Sequence, residues 1–152
     1  MKNNKGQSLF EVVVAISVIT LIIVAMIILT TTSIRNNSYS RNKTVASRYS
    51  QEAIEWLRGQ RDASWPTFYG KTSTIPRYYC FKVSPLTPTW PSAGLCGDSD
   101  YINSNTIFKR QLTLTRDPLN GDFIIADVAV SWTDGQGEHK AESVTYFSDW
   151  NK

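Results

Sequence analysis

The stretch Lys5–Thr30, "KGQSLFEVVVAISVITLIIVAMIILT", decides how this chain is read. From Val12 to Leu29 it runs 18 residues interrupted only by Ser17 and Thr20. As a helix rising ~1.5 Å per residue, it spans about 27 Å, close to the hydrocarbon thickness of a bilayer. It holds no Pro or Gly to kink it. Glu11 sits at its lip, five residues after Gly6, and a carboxylate there is costly to bury. A cleaved secretory signal has a shorter apolar core followed by a small-residue cut site. The "LTTTSIRNN" that follows here has no A-x-A. A plain signal anchor fits the length but leaves Glu11 unexplained. The third reading is an anchor whose processing site precedes the apolar run.

The 152 residues suit one domain, and the apolar run leaves roughly 90 residues for a small core. The net charge of +3 is dispersed, with no run of like charges, so no nucleic-acid contact is inferred. Lys2 and Lys5 precede the span while Arg35, Arg41 and Lys43 follow it, so charge alone does not orient it. Cys80 and Cys96 read as a disulfide if the second half is exported, worth roughly 3 kcal/mol by loop closure. The alternative is two free thiols in a reducing compartment. Neither cysteine belongs to a CxxC motif.

The string Lys5-Gly6-Gln7-Ser8-Leu9-Phe10-Glu11, running straight into an apolar helix, resembles the N-terminus of type IV prepilins and of the related pseudopilins. The resemblance implies a leader over 1–6, cleavage between Gly6 and Gln7 by prepilin peptidase, and N-methylation of Gln7. It makes Glu11 the assembly residue, the partner of a neighbouring subunit's N-terminal amine. A carboxylate in the first turn also suits the helix dipole. The implied partners are prepilin peptidase, other pilin or pseudopilin subunits and the assembly platform. The implied location is the bacterial inner membrane, single-pass with the C-terminal domain outside, and then a surface filament. Two departures stand out: Gln7 replaces a large apolar first residue, and the run lacks the Gly and Pro common in major pilins.

The expected fold is α+β, a long N-terminal helix packed on a C-terminal antiparallel meander. Residues 7–34 form the hydrophobic transmembrane half of the helix and 35–62 the amphipathic half. Val45, Tyr49, Ala53 and Trp56 or Leu57 form its apolar stripe. Gly59 and "DASWP" (62–66) end it. Residues 63–105 read as a variable loop region with one short strand over 78–84, pinned through Cys80 and Cys96. Residues 106–152 read as three strands, "TIFKRQLTLTRD", "FIIADVAVSW" and "HKAESVTYF", joined at Asn120-Gly121 and Asp134-Gly135. Their covered face is expected to hold Ile107, Leu112, Leu114, Val128, Val130, Trp132, Val144 and Tyr146. The closing "VAVSWTDGQGEHKAESVTYFSDW" resembles the tail of V-type minor pilins and I-type pseudopilins.

No catalytic constellation is legible: there is no phosphate loop, Ser-His-Asp set or metal-spaced His/Cys cluster. No enzyme activity and no cofactor are expected. The only histidine, His139, reads as a solvated turn residue. Asp117, Asn120 and Asp122 offer oxygens for a cation, though their spacing falls short of an EF-hand loop and turns share this composition. Trp90, Tyr101, Trp132 and Trp150 read as core and edge packing or as an adhesive aromatic surface. The functional expectation is a filament subunit, a minor pilin or pseudopilin of a type IV pilus or secretion system. The alternative is a monomeric, membrane-anchored extracytoplasmic binding module.

Overall fold

The computed structural model describes residues 9–119 and 121–150. Its contacts divide the chain into a unit ending at Arg41 and a unit beginning at Asn42. Helix α1, Leu9–Ala63, supplies all the described residues of the first unit and one element of the second. In the first unit the residues of the apolar run are exposed throughout.

In the second unit, Ala46, Ser50, Ala53, Ile54 and Leu57 turn one face of α1 into the core. Their spacing of three and four residues is that of a helical stripe. The seam lies one residue round from the Val45–Tyr49 line. Small Ala46, Ser50 and Ala53 let the backbone sit close to the sheet, whereas Tyr49 and Trp56 flank the seam. Tyr49 meets Phe108 edge-on at 5.6 Å, and Trp56 meets Phe81 at 5.1 Å. Gly59 is a helical, exposed residue and does not end α1. The helix stops where Ser64 turns extended. The Ser64 hydroxyl accepts the Thr67 N–H and caps a second short helix, α2, Trp65–Gly70, with Pro66 in its first turn.

The sheet has four strands, not three. β1 (Arg77–Cys80), β2 (Phe108–Arg116), β3 (Ile124–Asp134) and β4 (Gly137–Phe147) lie in sequence order and pair antiparallel. The expected strand over 78–84 is therefore shorter. Phe81 still donates to the Arg110 carbonyl, and the chain then leaves the sheet toward α1. There the Ser84 hydroxyl and the Leu86 N–H both donate to the Glu52 carboxylate at 2.8 Å. The segment that follows is tied back to the helix by Trp56 and Gln60, which donate to the Thr87 and Pro88 carbonyls. It is tied to the sheet by a Tyr79–Ala93 bridge. A Cys80–Cys96 disulfide with Cα atoms 5.0 Å apart makes a further tie.

The covered face differs from the expected one in β4. The two-residue connection of Gly135 and Gln136 sets Asp134 opposite Gly137 and hence Val128 opposite Ser143. Ser143 and Thr145 therefore share the covered face with Val128, while Val144 and Tyr146 point outward, 55% and 64% exposed. Ile107 precedes β2 and is also exposed, at 43%. The core is instead built by Phe108, Leu112 and Leu114, by Ile124, Ala126, Val128, Val130 and Trp132, and by Phe147. β4 can be small and polar inside because the Ser50 hydroxyl donates to that of Ser143, where the helix lies close.

One charged side chain stands among these apolar ones. Arg110 is fully buried, and its guanidinium pairs with Glu52 at 2.8 Å. It also donates to the carbonyls of Tyr49 at 3.0 Å and Val83 at 2.6 Å. Tyr49 and Phe81 lie with their rings against it, at 5.7 and 5.6 Å. Removing the carboxylate strands this charge in the core, which costs about 3 kcal/mol where the lost partner was itself partly buried. Glu52→Ala is expected to lower the melting temperature of the purified chain sharply. The double variant Glu52→Ala/Arg110→Met is expected to recover most of the loss in the same melts.

Candidate assembly helix and sheet surfaces

The first candidate site is the start of α1. Glu11 lies in the first turn of the described helix, exposed, where a carboxylate suits the helix dipole. Beyond it, no acidic or basic residue occurs until Arg35. α1 contains a window long and apolar enough to cross a membrane, none of it buried. The hydroxyls inside this stretch satisfy themselves. Ser17 and Thr20 donate to the Val13 and Ile16 carbonyls at 2.8 Å, one turn back. Thr30, Thr31 and Thr32 do the same toward Met26, Ile27 and Ile28. These five hydroxyls therefore need no water, which is the condition for residence in hydrocarbon. The proposed processing residues, Gly6 and Gln7, lie outside the described residues.

The Asp117 carboxylate accepts the Leu119 N–H at 2.9 Å, closing its own turn. Asn120 lies outside the described residues. Among the described residues no group of three His, Cys, Asp or Glu side chains converges. His139 is held in the β3–β4 hairpin, its Nε2 2.9 Å from the Asp134 carboxylate and its ring 5.3 Å from Trp132. The Gln136 N–H and then His139 keep the Asp134 carboxyl below its ordinary range.

The four aromatic residues are distributed, not gathered. Trp90 packs with Trp56, Tyr79 and Phe68 under the 84–96 segment. Trp132 is buried against Phe108. Tyr101 carries the Lys109 ammonium over its ring, and Trp150 is exposed beside Asp62.

The open face of the sheet holds a residue that the alternation of the strands hides. Asp127 stands between Thr113 and Val144 on the adjoining strands. One of its carboxylate oxygens, Oδ1, is buried with no hydrogen-bond partner. Burial, and then the Glu142 carboxylate, push its pKa above the usual aspartate value. An acid can be read from sequence, but its desolvation depends on which cross-strand neighbours the register delivers.

The comparisons with known proteins bear on the N-terminus. Residues 1–27 match the family model described as the prokaryotic N-terminal methylation motif. No curated protein and no solved structure matches the chain.

Asp127 yields a pH-dependent expectation. Because the native state holds its proton more tightly than the unfolded chain, ionising it costs stability. That cost is full above the raised native pKa and disappears as pH falls toward the ordinary value of 3.8. Asp127→Asn is therefore expected to melt higher than the parent at pH 7. The gap is expected to close in melts taken near pH 3.5.

Proposed function

We propose that this chain, which carries the type IV prepilin signature at its N-terminus and a long helix with a four-stranded antiparallel sheet, is a minor pilin or pseudopilin subunit. The role is structural, not enzymatic. The observation that carries it is the direct joining of a processing motif to an exposed apolar helix whose acidic residue is Glu11. In this reading the leader of residues 1–6 is removed in the inner membrane, and the new amine on Gln7 lies four residues from Glu11.

The energetic logic follows from the surroundings. A carboxylate at the edge of hydrocarbon costs several kcal/mol when unpaired. A neighbouring subunit that brings an amine to Glu11 removes that cost only at one axial offset. The apolar helix thus supplies adhesion without register, and Glu11 supplies register. The domain beginning at Asn42 remains available for location and partner choice, in a pilus or in a secretion filament.

Two measurements test this. Mass spectrometry of the protein from cells with an active prepilin peptidase is expected to show a chain beginning at Gln7, with or without one added methyl group. A chain beginning at Met1 in those cells sinks the reading. Glu11→Val is expected to insert in the membrane normally and to be lost from sheared filament fractions. Unchanged function in that variant would favour the alternative, a monomeric anchored binding module.

A further inference from the structure

The two edges of the sheet are finished differently. β1 is four residues long, and its outer side is occupied: Ala93 bridges Tyr79, and the Gly94 N–H donates to the Tyr78 carbonyl at 2.8 Å. β4 is 11 residues long, and among the described residues no strand lies on its far side. It pairs with β3 residue for residue from Asp134–Gly137 to Ile124–Phe147, so no bulge bends it, and it contains no proline. Shortness, bulges, proline, a cover and charge are the usual protections of an edge, and among the described residues β4 has only the last of them. What it has is charge: Glu138, Lys140 and Glu142 stand exposed along its outward face, followed by Val144 and Tyr146.

Those charges alternate in sign, and that pattern discriminates between registers. Two antiparallel copies of β4 keep their faces and hydrogen-bonding groups matched only when they slide by two residues at a time relative to one another. Centring the pair on Glu142 sets Glu142 against itself. Centring it on Lys140 sets Lys140 against itself and Glu138 against Glu142. Centring it on Ser143 leaves Lys140 facing Tyr146 and Glu142 facing Val144. Centring it on His139 sets Lys140 against Glu138 but pairs only the Gly137–Ala141 end of the strand, whereas centring it on Ala141 sets Lys140 of each copy against Glu142 of the other and pairs the strand from Gly137 to Thr145. That arrangement joins the ion pair that Lys140 and Glu142 already make within one strand into a four-charge cluster. On the covered side it brings Ala141 to Ala141 and His139 to Ser143. Only small or polar groups face one another there, beside the groove that Ile54, Glu55 and Arg58 of α1 form with Ser143 and Thr145.

We propose that β4 is a pairing edge for a second copy of this chain, the two strands running antiparallel with Ala141 at the two-fold axis. The surface goes beyond the filament reading and rests on the sheet alone. Because the axis is normal to the sheet, the strands of the two copies run in opposite directions.

The test uses the full chain in micelles of an uncharged detergent at low ionic strength, where exposed charges are least screened. A tagged copy captures an untagged one. The parent is expected to capture itself. Lys140→Glu is expected to capture Lys140→Glu about tenfold less well, and Glu142→Lys likewise with itself, since each change turns both cross-strand attractions into repulsions. A mixture of Lys140→Glu with Glu142→Lys is expected to recover the parental level, because all four charges then face opposites. Both positions are exposed, so a circular dichroism spectrum like the parent's is expected for each variant. Equal capture in every combination would assign association to the apolar helix and overturn the proposal. No capture by the parent would overturn it equally.

Discussion

The Glu52–Arg110 pair is the constraint around which the sheet unit is arranged. Its members are 58 residues apart in sequence and meet at 2.8 Å. Arg110 is a β2 residue on the covered face, where its neighbours along the strand, Phe108 and Leu112, are buried and apolar. A guanidinium in that position needs partners for its charge, and here the two terminal nitrogens have them while Nε is buried without one. The Tyr49 carbonyl and Glu52 carboxylate of α1 meet one side, and the Val83 carbonyl meets another. Glu52 in turn holds Ser84 and Leu86. Helix, strand and the departing end of β1 are thereby joined at one carboxylate. A buried pair of this kind adds little net stability over an apolar substitute. Its effect is selective, because any other rotation of α1 leaves a charge in the core without a partner.

The two stretches of α1 solve opposite solvation problems with one backbone geometry. From Asn42 on, apolar residues are confined to one stripe, and the rest of the surface is charged or polar. Before that, apolar residues surround the helix, and the few hydroxyls turn back on their own carbonyls. The first pattern requires a sheet and the second requires lipid or other helices of its own kind. Glu11 is the exception in the second pattern, an acidic residue in the first turn of an apolar stretch.

Much of this was legible in the order of residues. Membrane length, the Gly6-to-Glu11 spacing and the hairpin signals all depend on local chemistry, and the long helix and antiparallel layout follow from them. The inward face of β3, and of β2 from Leu112 on, followed from alternation in the same way, while Ile107 fell outside it. What local chemistry did not carry was the phase of β4. Its alternation of charged and apolar residues put Val144 and Tyr146 inside, but the two-residue turn gave the covered face to Ser143 and Thr145. β1 was half visible, because its pairing with β2 is long-range. Arg110 and Asp127 were not legible as special, since each owes its character to residues brought from other strands or from α1.

The sharing of α1 between an apolar stretch and a domain core has a mechanical consequence. Ala46, Ser50, Ala53, Ile54 and Leu57 are sealed against the sheet, so the helix cannot be drawn further into a bilayer than about this point without dismantling the domain. The folded unit therefore fixes how much of α1 can leave the sheet. Lifting residues 46–57 off the sheet breaks the Ala46–Leu57 seam and the Glu52–Arg110 pair together.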